Sequence, residues 1–125
     1  MFTRKNLTLA LLGLVSLQFF AVGALKIVGF APLYQQLATL HVSPAGGLLI
    51  GIAEVLGVVG LWVPATRRYA LLGLLMLAVG AVAIHVGAQQ PVAAGIPAMV
   101  ATALLLTLLY VTEPVSPNVP SLARR

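Results

Sequence analysis

Long apolar runs alternate with short polar breaks along this chain, on a length scale with a direct physical meaning. Runs at about 7–29, 44–63, 69–88 and 92–111 each reach the ~20 residues that a helix needs to cross a hydrocarbon core. The breaks carry stop signals: Ala31-Pro32, then Pro64-Ala65-Thr66-Arg67-Arg68, then Gln89-Gln90-Pro91. Residues 112–125 include Pro114, Pro117 and Pro120 and read as a flexible tail outside the bundle. One competing reading exists for the first run, because Thr3-Arg4-Lys5-Asn6, an apolar stretch and Val22-Gly23-Ala24 outline a secretory signal. That run is longer than most signal cores and continues past Ala24, so a retained span is the better assignment.

Between the first two runs the period changes. Leu33, Leu37 and Leu40 recur at i, i+4 and i+7, with Gln35, Gln36 and Thr39 elsewhere, and Pro32 suits a first helical turn. This segment reads as a short helix lying in the membrane interface with its apolar face down. The expected fold is therefore an all-α membrane protein, one domain of four transmembrane helices with a short interfacial helix between helices 1 and 2.

Composition strengthens the membrane assignment. Of 125 residues 61% are hydrophobic and only 7% charged, and nine charges cannot coat a soluble domain of this size. Soluble enzymes, disordered tails and coiled coils are excluded. With no Cys, thiolate chemistry, disulfides and Fe–S clusters are excluded as well. The net charge of +5 marks topology rather than nucleic-acid binding. Arg4 and Lys5, Arg67 and Arg68, and Arg124 and Arg125 all fall on one side of four spans, and the opposite loops hold no Lys or Arg. Both termini are expected to be cytoplasmic. The Ala/Leu/Gly/Val bias fits a GC-rich bacterium, hence its cytoplasmic (inner) membrane.

Small residues supply packing surfaces. Gly47-x-x-x-Gly51 and Ala53-x-x-x-Gly57 let backbones approach closely, and Ala78, Ala81 and Ala88 give the third span a similar face. Phe19, Trp62, Tyr69 and Tyr110 read as packing or interfacial anchors.

Three ionisable residues inside the spans have no such explanation: Lys26, Glu54 and His85. At 1.5 Å per residue they lie roughly 5–8, 12 and 5 Å below the outer ends of their helices, at one level of the outer half of the membrane. Lys26 alone could snorkel to the headgroups, and His85 alone could be a packing residue. Glu54 is too short to reach water from its depth and needs a partner or a wet cavity. Lys26 is the economical partner, with His85 as a hydrogen-bond donor. Such a pair either fixes helix register or forms part of a binding pocket. Gln18, roughly two turns before Lys26, either extends this polar track or, preferably, bonds to another helix.

The pattern resembles the DoxX-like family of small four-span membrane proteins. The resemblance rests on Gly23-Ala24-Leu25-Lys26, on Gly51-Ile52-Ala53-Glu54-Val55-Leu56-Gly57, on Leu61 and Pro64 leading into Arg67-Arg68, and on the Met76, Ala81, His85 series. It covers spans one to three; span four matches only in being apolar. The family's name-giving member is a subunit of a thiosulfate:quinone oxidoreductase, other members are linked to quinone or oxidative-stress handling, and distant animal relatives include a receptor-assembly chaperone. Lys26, Glu54 and His85 carry over as matching polar positions, without a catalytic role.

The resemblance implies a quinone-linked or redox-associated accessory membrane subunit rather than a self-contained enzyme. Lys26, Glu54 and His85 would bind the headgroup of a quinone or other lipophilic molecule, His85 and Glu54 being able to move protons. No intrinsic cofactor or metal is expected beyond a bound quinone or lipid. Expected partners are membrane lipids, a redox subunit or a second copy of the chain, and not nucleic acid. The alternative is a non-catalytic assembly or scaffold protein whose polar trio fixes register. A proton-coupled small-molecule exporter ranks below both, because such a protein needs a titratable Glu without a fixed counter-charge.

Overall fold

Local capping sets where each helix begins and ends. The computed structural model of the chain describes residues 3–112. Helix α1 spans Arg4–Val28; it starts earlier than the apolar run because the Thr3 side chain accepts the Asn6 N–H, satisfying a first-turn donor. It stops at Gly29, whose φ of 77° lies in the left-handed region that glycine tolerates. Helix α2 spans Ala31–Thr39, with Pro32 in its first turn. Ser43 caps α3 (Pro44–Leu61) by accepting the Gly46 N–H at 3.0 Å. Helices α4 (Arg67–Gly87) and α5 (Val92–Thr112) complete the described chain. The expected tail lies outside the described residues, apart from Thr112, which closes α5.

Helices α1, α3, α4 and α5 are each long and apolar enough to cross a membrane. They form a ring in which α1 packs on α3, α3 on α4, α4 on α5 and α5 back on α1. Neighbours run antiparallel. The start of α1 meets the end of α5, where Arg4 Nε donates to the Val111 carbonyl at 2.7 Å, and the end of α1 meets the middle of α3, where Lys26 reaches Glu54. The bundle thus has an arginine end, with Arg4 and Arg67, and an α2 end.

The two ends are packed differently. Toward the arginine end, Leu12, Val15, Leu61, Leu71, Leu74, Leu105 and Leu108 fill the ring and are almost wholly buried. Outward positions are also apolar: Leu17 is 70% exposed, Met76 76% and Val92 78%. A bundle apolar inside and out is one whose solvent is lipid. Trp62, Tyr69 and Tyr110 face outward as anchors would, and the Trp62 indole donates to Ser16 Oγ at 2.7 Å. The α3–α4 connection is closed by Arg67 Nε donating to the Leu61 carbonyl.

Helix α2 does not lie away from the bundle. It touches only α3 and α1, and its leucine stripe is turned inward: Leu37 and Leu40 are buried, while Gln35, Gln36 and Thr39 are exposed. Its Tyr34 ring and Leu37 rest on Gly47, where a Cβ would come within 2.9 Å of the ring.

Candidate functional site

Close backbone approach builds the polar centre. Gly23 on α1 and Gly51 on α3 face each other: a Cβ on Gly51 would lie 2.6 Å from Lys26 Cβ and 2.9 Å from the Gly23 carbonyl oxygen. Without side chains there, α1 and α3 come near enough for Lys26, one turn beyond Gly23, to meet Glu54, one turn beyond Gly51. Lys26 Nζ donates to Glu54 Oε1 at 2.5 Å, and both side chains are buried. Lys26 therefore does not snorkel. Its backbone carbonyl, near the open C-terminal end of α1, accepts the Tyr34 hydroxyl at 2.6 Å, tying α2 to the turn that carries the lysine.

Tyr34→Phe keeps the ring over Gly47 and deletes only this bond. The expected loss is about 0.5–1.5 kcal/mol of stability, the net worth of one hydrogen bond. Thermal unfolding in detergent micelles, followed by helical circular dichroism, measures it.

His85 stands in the last turn of α4 and bonds to neither member of the pair. Its Nδ1 donates to the Ala81 carbonyl at 2.8 Å, one turn back on its own helix. Its Nε2 is buried and has no hydrogen-bond partner among the described residues. An unpaired polar atom in such a place costs roughly 1–3 kcal/mol. The expected hydrogen bond from His85 to Glu54 is not formed. Gln18 bonds to another helix, its Nε2 donating to the Pro97 carbonyl on α5 at 2.9 Å.

What joins these groups is a cavity of about 410 Å³ at the α2 end of the ring. Lys26, Glu54, His85, Gln18 and Gln36 line it. Its space comes from small residues where the other end has leucines: Ala78, Ala81, Ala94, Ala98 and Ala101 on α4 and α5. Leu33, Leu37 and Leu40 of α2 form its cover. Volume and lining match a small-molecule site: a few hundred Å³, mostly apolar, with a few polar groups converging.

A family model described as the DoxX-like family matches residues 10–108. The chain belongs to the DoxX-like family. The matched segment spans all of the cavity's walls, from Gln18 on α1 to Ala101 on α5. No curated protein and no solved structure matches the chain. This DoxX-like protein is thus an integral membrane four-helix bundle whose membrane-embedded polar residues share one cavity.

Several of the residues that shape the site carried no mark in the sequence reading. Ala94, Pro97 and Ala98 of α5 lie in an unbroken apolar run, and Tyr34 sits beside the leucine stripe rather than on it. The small residues also divide their roles. Gly47 and Gly51 face α2 and α1, Gly57 faces Leu74 of α4, and Ala53 is exposed, so Ala53-x-x-x-Gly57 is not one packed surface. Ala78 and Ala81 line the cavity as well as packing.

Proposed function

We propose that this DoxX-like protein is an accessory membrane subunit that binds a quinone-like lipophile, with its polar head in the cavity. The observation that carries the reading is the cavity itself: a mostly apolar chamber of about 410 Å³ lined by the Lys26–Glu54 ion pair and by His85. Charged groups inside a membrane protein are costly, ~2.5–3.5 kcal/mol each at mid-helix, and typically mark a ligand or ion path. The residues fit such a head. Lys26 retains donors beyond the one given to Glu54, and aliphatic walls suit an apolar tail. When bound, the quinone supplies the redox chemistry; this chain's part is to hold and orient the head and to exclude water. In this reading the cavity lies in the outer half of a bacterial cytoplasmic membrane, a topology that the one-sided Lys and Arg pattern supports.

A non-catalytic assembly role is the second reading, and the closed Lys26–Glu54 pair favours it, since a register-fixing pair needs nothing more. That reading leaves the chamber without a purpose.

Purified protein in lipid nanodiscs is expected to bind a short-tailed benzoquinone saturably, by calorimetry or equilibrium partitioning. Ala98→Phe, which fills the chamber from α5, should abolish binding. Val100→Phe, on an exposed position of the same helix, should leave it within about twofold. Equal binding by both variants would refer the ligand to the bilayer and sink the proposal.

A further inference from the structure

The four seams of the helix ring are closed unequally at the level of the cavity. Between α1 and α3, Gly23 and Gly51 face each other and Lys26 is bonded to Glu54. Between α5 and α1, Gln18 donates to the Pro97 carbonyl at 2.9 Å. Between α4 and α5, a Cβ on Gly95 would meet the His85 Cβ at 3.8 Å, an ordinary van der Waals contact. The close approaches of α3 and α4 lie instead toward the arginine end, where a Cβ on Gly57 would come within 2.7 Å of Leu74 and one on Gly60 within 3.0 Å of Ala70. One turn nearer the α2 end, Ala53 continues the Gly57 and Gly60 stripe of α3 and yet is exposed. On α4 a Cβ at Gly80 would meet nothing within 4 Å, although Gly80 lines the cavity. Met76, one turn before it, also lines the cavity and is 76% exposed. A residue that faces the bilayer and the cavity at once stands at an opening. Helix α2 packs on α3 and α1 and makes no contact with α4, so it does not bridge this seam.

We infer that the cavity opens sideways into the hydrocarbon between α3 and α4, and that its ligand is a long-chain lipid whose head sits at Lys26 and Glu54 while its tail leaves past Gly80 and Met76. This rests on the binding reading above and sharpens it, since it sets the class of ligand and its route of entry. The depth is right for a tail: Gly80 lies about two turns, ~10 Å, inside the end of α4, within the hydrocarbon core rather than among headgroups. The size requires an exit. About 410 Å³ is the room a compact head occupies, at the small end of ligand sites, and a long chain does not fit beside it. The side toward α2 is less suited to a chain, because Gln36 stands exposed at the cavity's rim there. Outside the cleft the neighbouring positions are apolar, with Ile52 and Leu56 on α3 and Val79 on α4 exposed to lipid, so a chain crossing it stays in apolar surroundings.

The test compares two benzoquinones with the same head, one bearing a methyl group and one a decyl chain, on the full chain in lipid nanodiscs. Affinities are referred to the concentration of each compound in the bilayer. Gly80→Phe puts a ring into the cleft from a position where the first added carbon meets nothing. The decyl compound is expected to lose at least tenfold in affinity, and the methyl compound to stay within about twofold. A second measurement uses the wild type, with a photoreactive diazirine at the far end of the decyl chain. Crosslinks are expected at Ala53, Met76 and Gly80, and should disappear when unlabelled decyl compound competes. If Gly80→Phe treats both compounds alike, or the competed crosslinks fall on the outer faces of α1 and α5, the inference is overturned while the binding reading stands. If neither compound binds the wild type saturably, both fall. The crosslinks decide even if the variant does not fold.

Discussion

Replacing Glu54 by Met is expected to destabilise the bundle by about 3–5 kcal/mol, and replacing Lys26 by Met at the same time is expected to restore most of that loss. The reasoning follows from burial. Lys26 and Glu54 are 7% and 6% exposed, and each is the other's counter-charge at 2.5 Å. Removing the carboxylate leaves an ammonium without a counter-charge in a mostly apolar wall. Removing both leaves two flexible apolar side chains of suitable length in the same space. Buried pairs exchanged for apolar residues are often neutral or stabilising, whereas half-pairs are not. Denaturant unfolding of the wild type, both single variants and the double variant gives the coupling directly. The same four proteins separate the two functional readings. A cavity that binds a polar head should lose at least tenfold in affinity in the double variant, stable as that protein is. A scaffold whose pair only sets register should keep its function in it.

The parts of the structure that were legible in the sequence are those on which the bilayer imposes a rule. Four spans could be read because a membrane helix needs about 20 apolar residues, and the helices fall within a few residues of those runs. Capping supplied the differences, as at Thr3, which carries α1 back to Arg4. The Lys26–Glu54 pair could be read because a carboxylate at that depth must have a partner and only one cation lay at its level. Ring order had no comparable rule. Lipid-facing and helix-facing positions are equally apolar here, as Met76 outside and Leu74 inside show, so no periodicity says which helices touch. The cavity escaped for the same reason, being defined by alanines where leucines would fit. The state of His85 depends on the Ala81 carbonyl one turn away, a contact any helical histidine could make or refuse. Likewise the stripe on α2 announced an amphipathic helix without saying that its leucines would cover a chamber in the bundle.

Gly51→Ala and Gly73→Ala, the same change at two helical glycines, are expected to shift stability in opposite directions. A methyl at Gly51 would sit 2.6 Å from Lys26 Cβ and 2.9 Å from the Gly23 carbonyl oxygen. Neither atom is the free end of a flexible side chain, so α1 and α3 must separate, at about 1–3 kcal/mol for an overpacked contact. A methyl at Gly73 of α4 meets nothing within 4 Å, and there the ordinary advantage of Ala over Gly within a helix, about 0.5–1 kcal/mol, should appear as a gain. Unfolding midpoints of the two variants against the wild type measure both signs. The functional consequence is also asymmetric. Gly51 holds the two helices at the distance from which Lys26 reaches Glu54, so its substitution should weaken ligand binding even where the protein remains folded. Gly73 is an exposed position that lines no part of the cavity, and its substitution should leave binding unchanged. A loss of stability without loss of binding in Gly51→Ala would mean that the cavity tolerates a loosened ion pair. The pair would then belong to the fold, and the ligand would be held by the α4 and α5 walls.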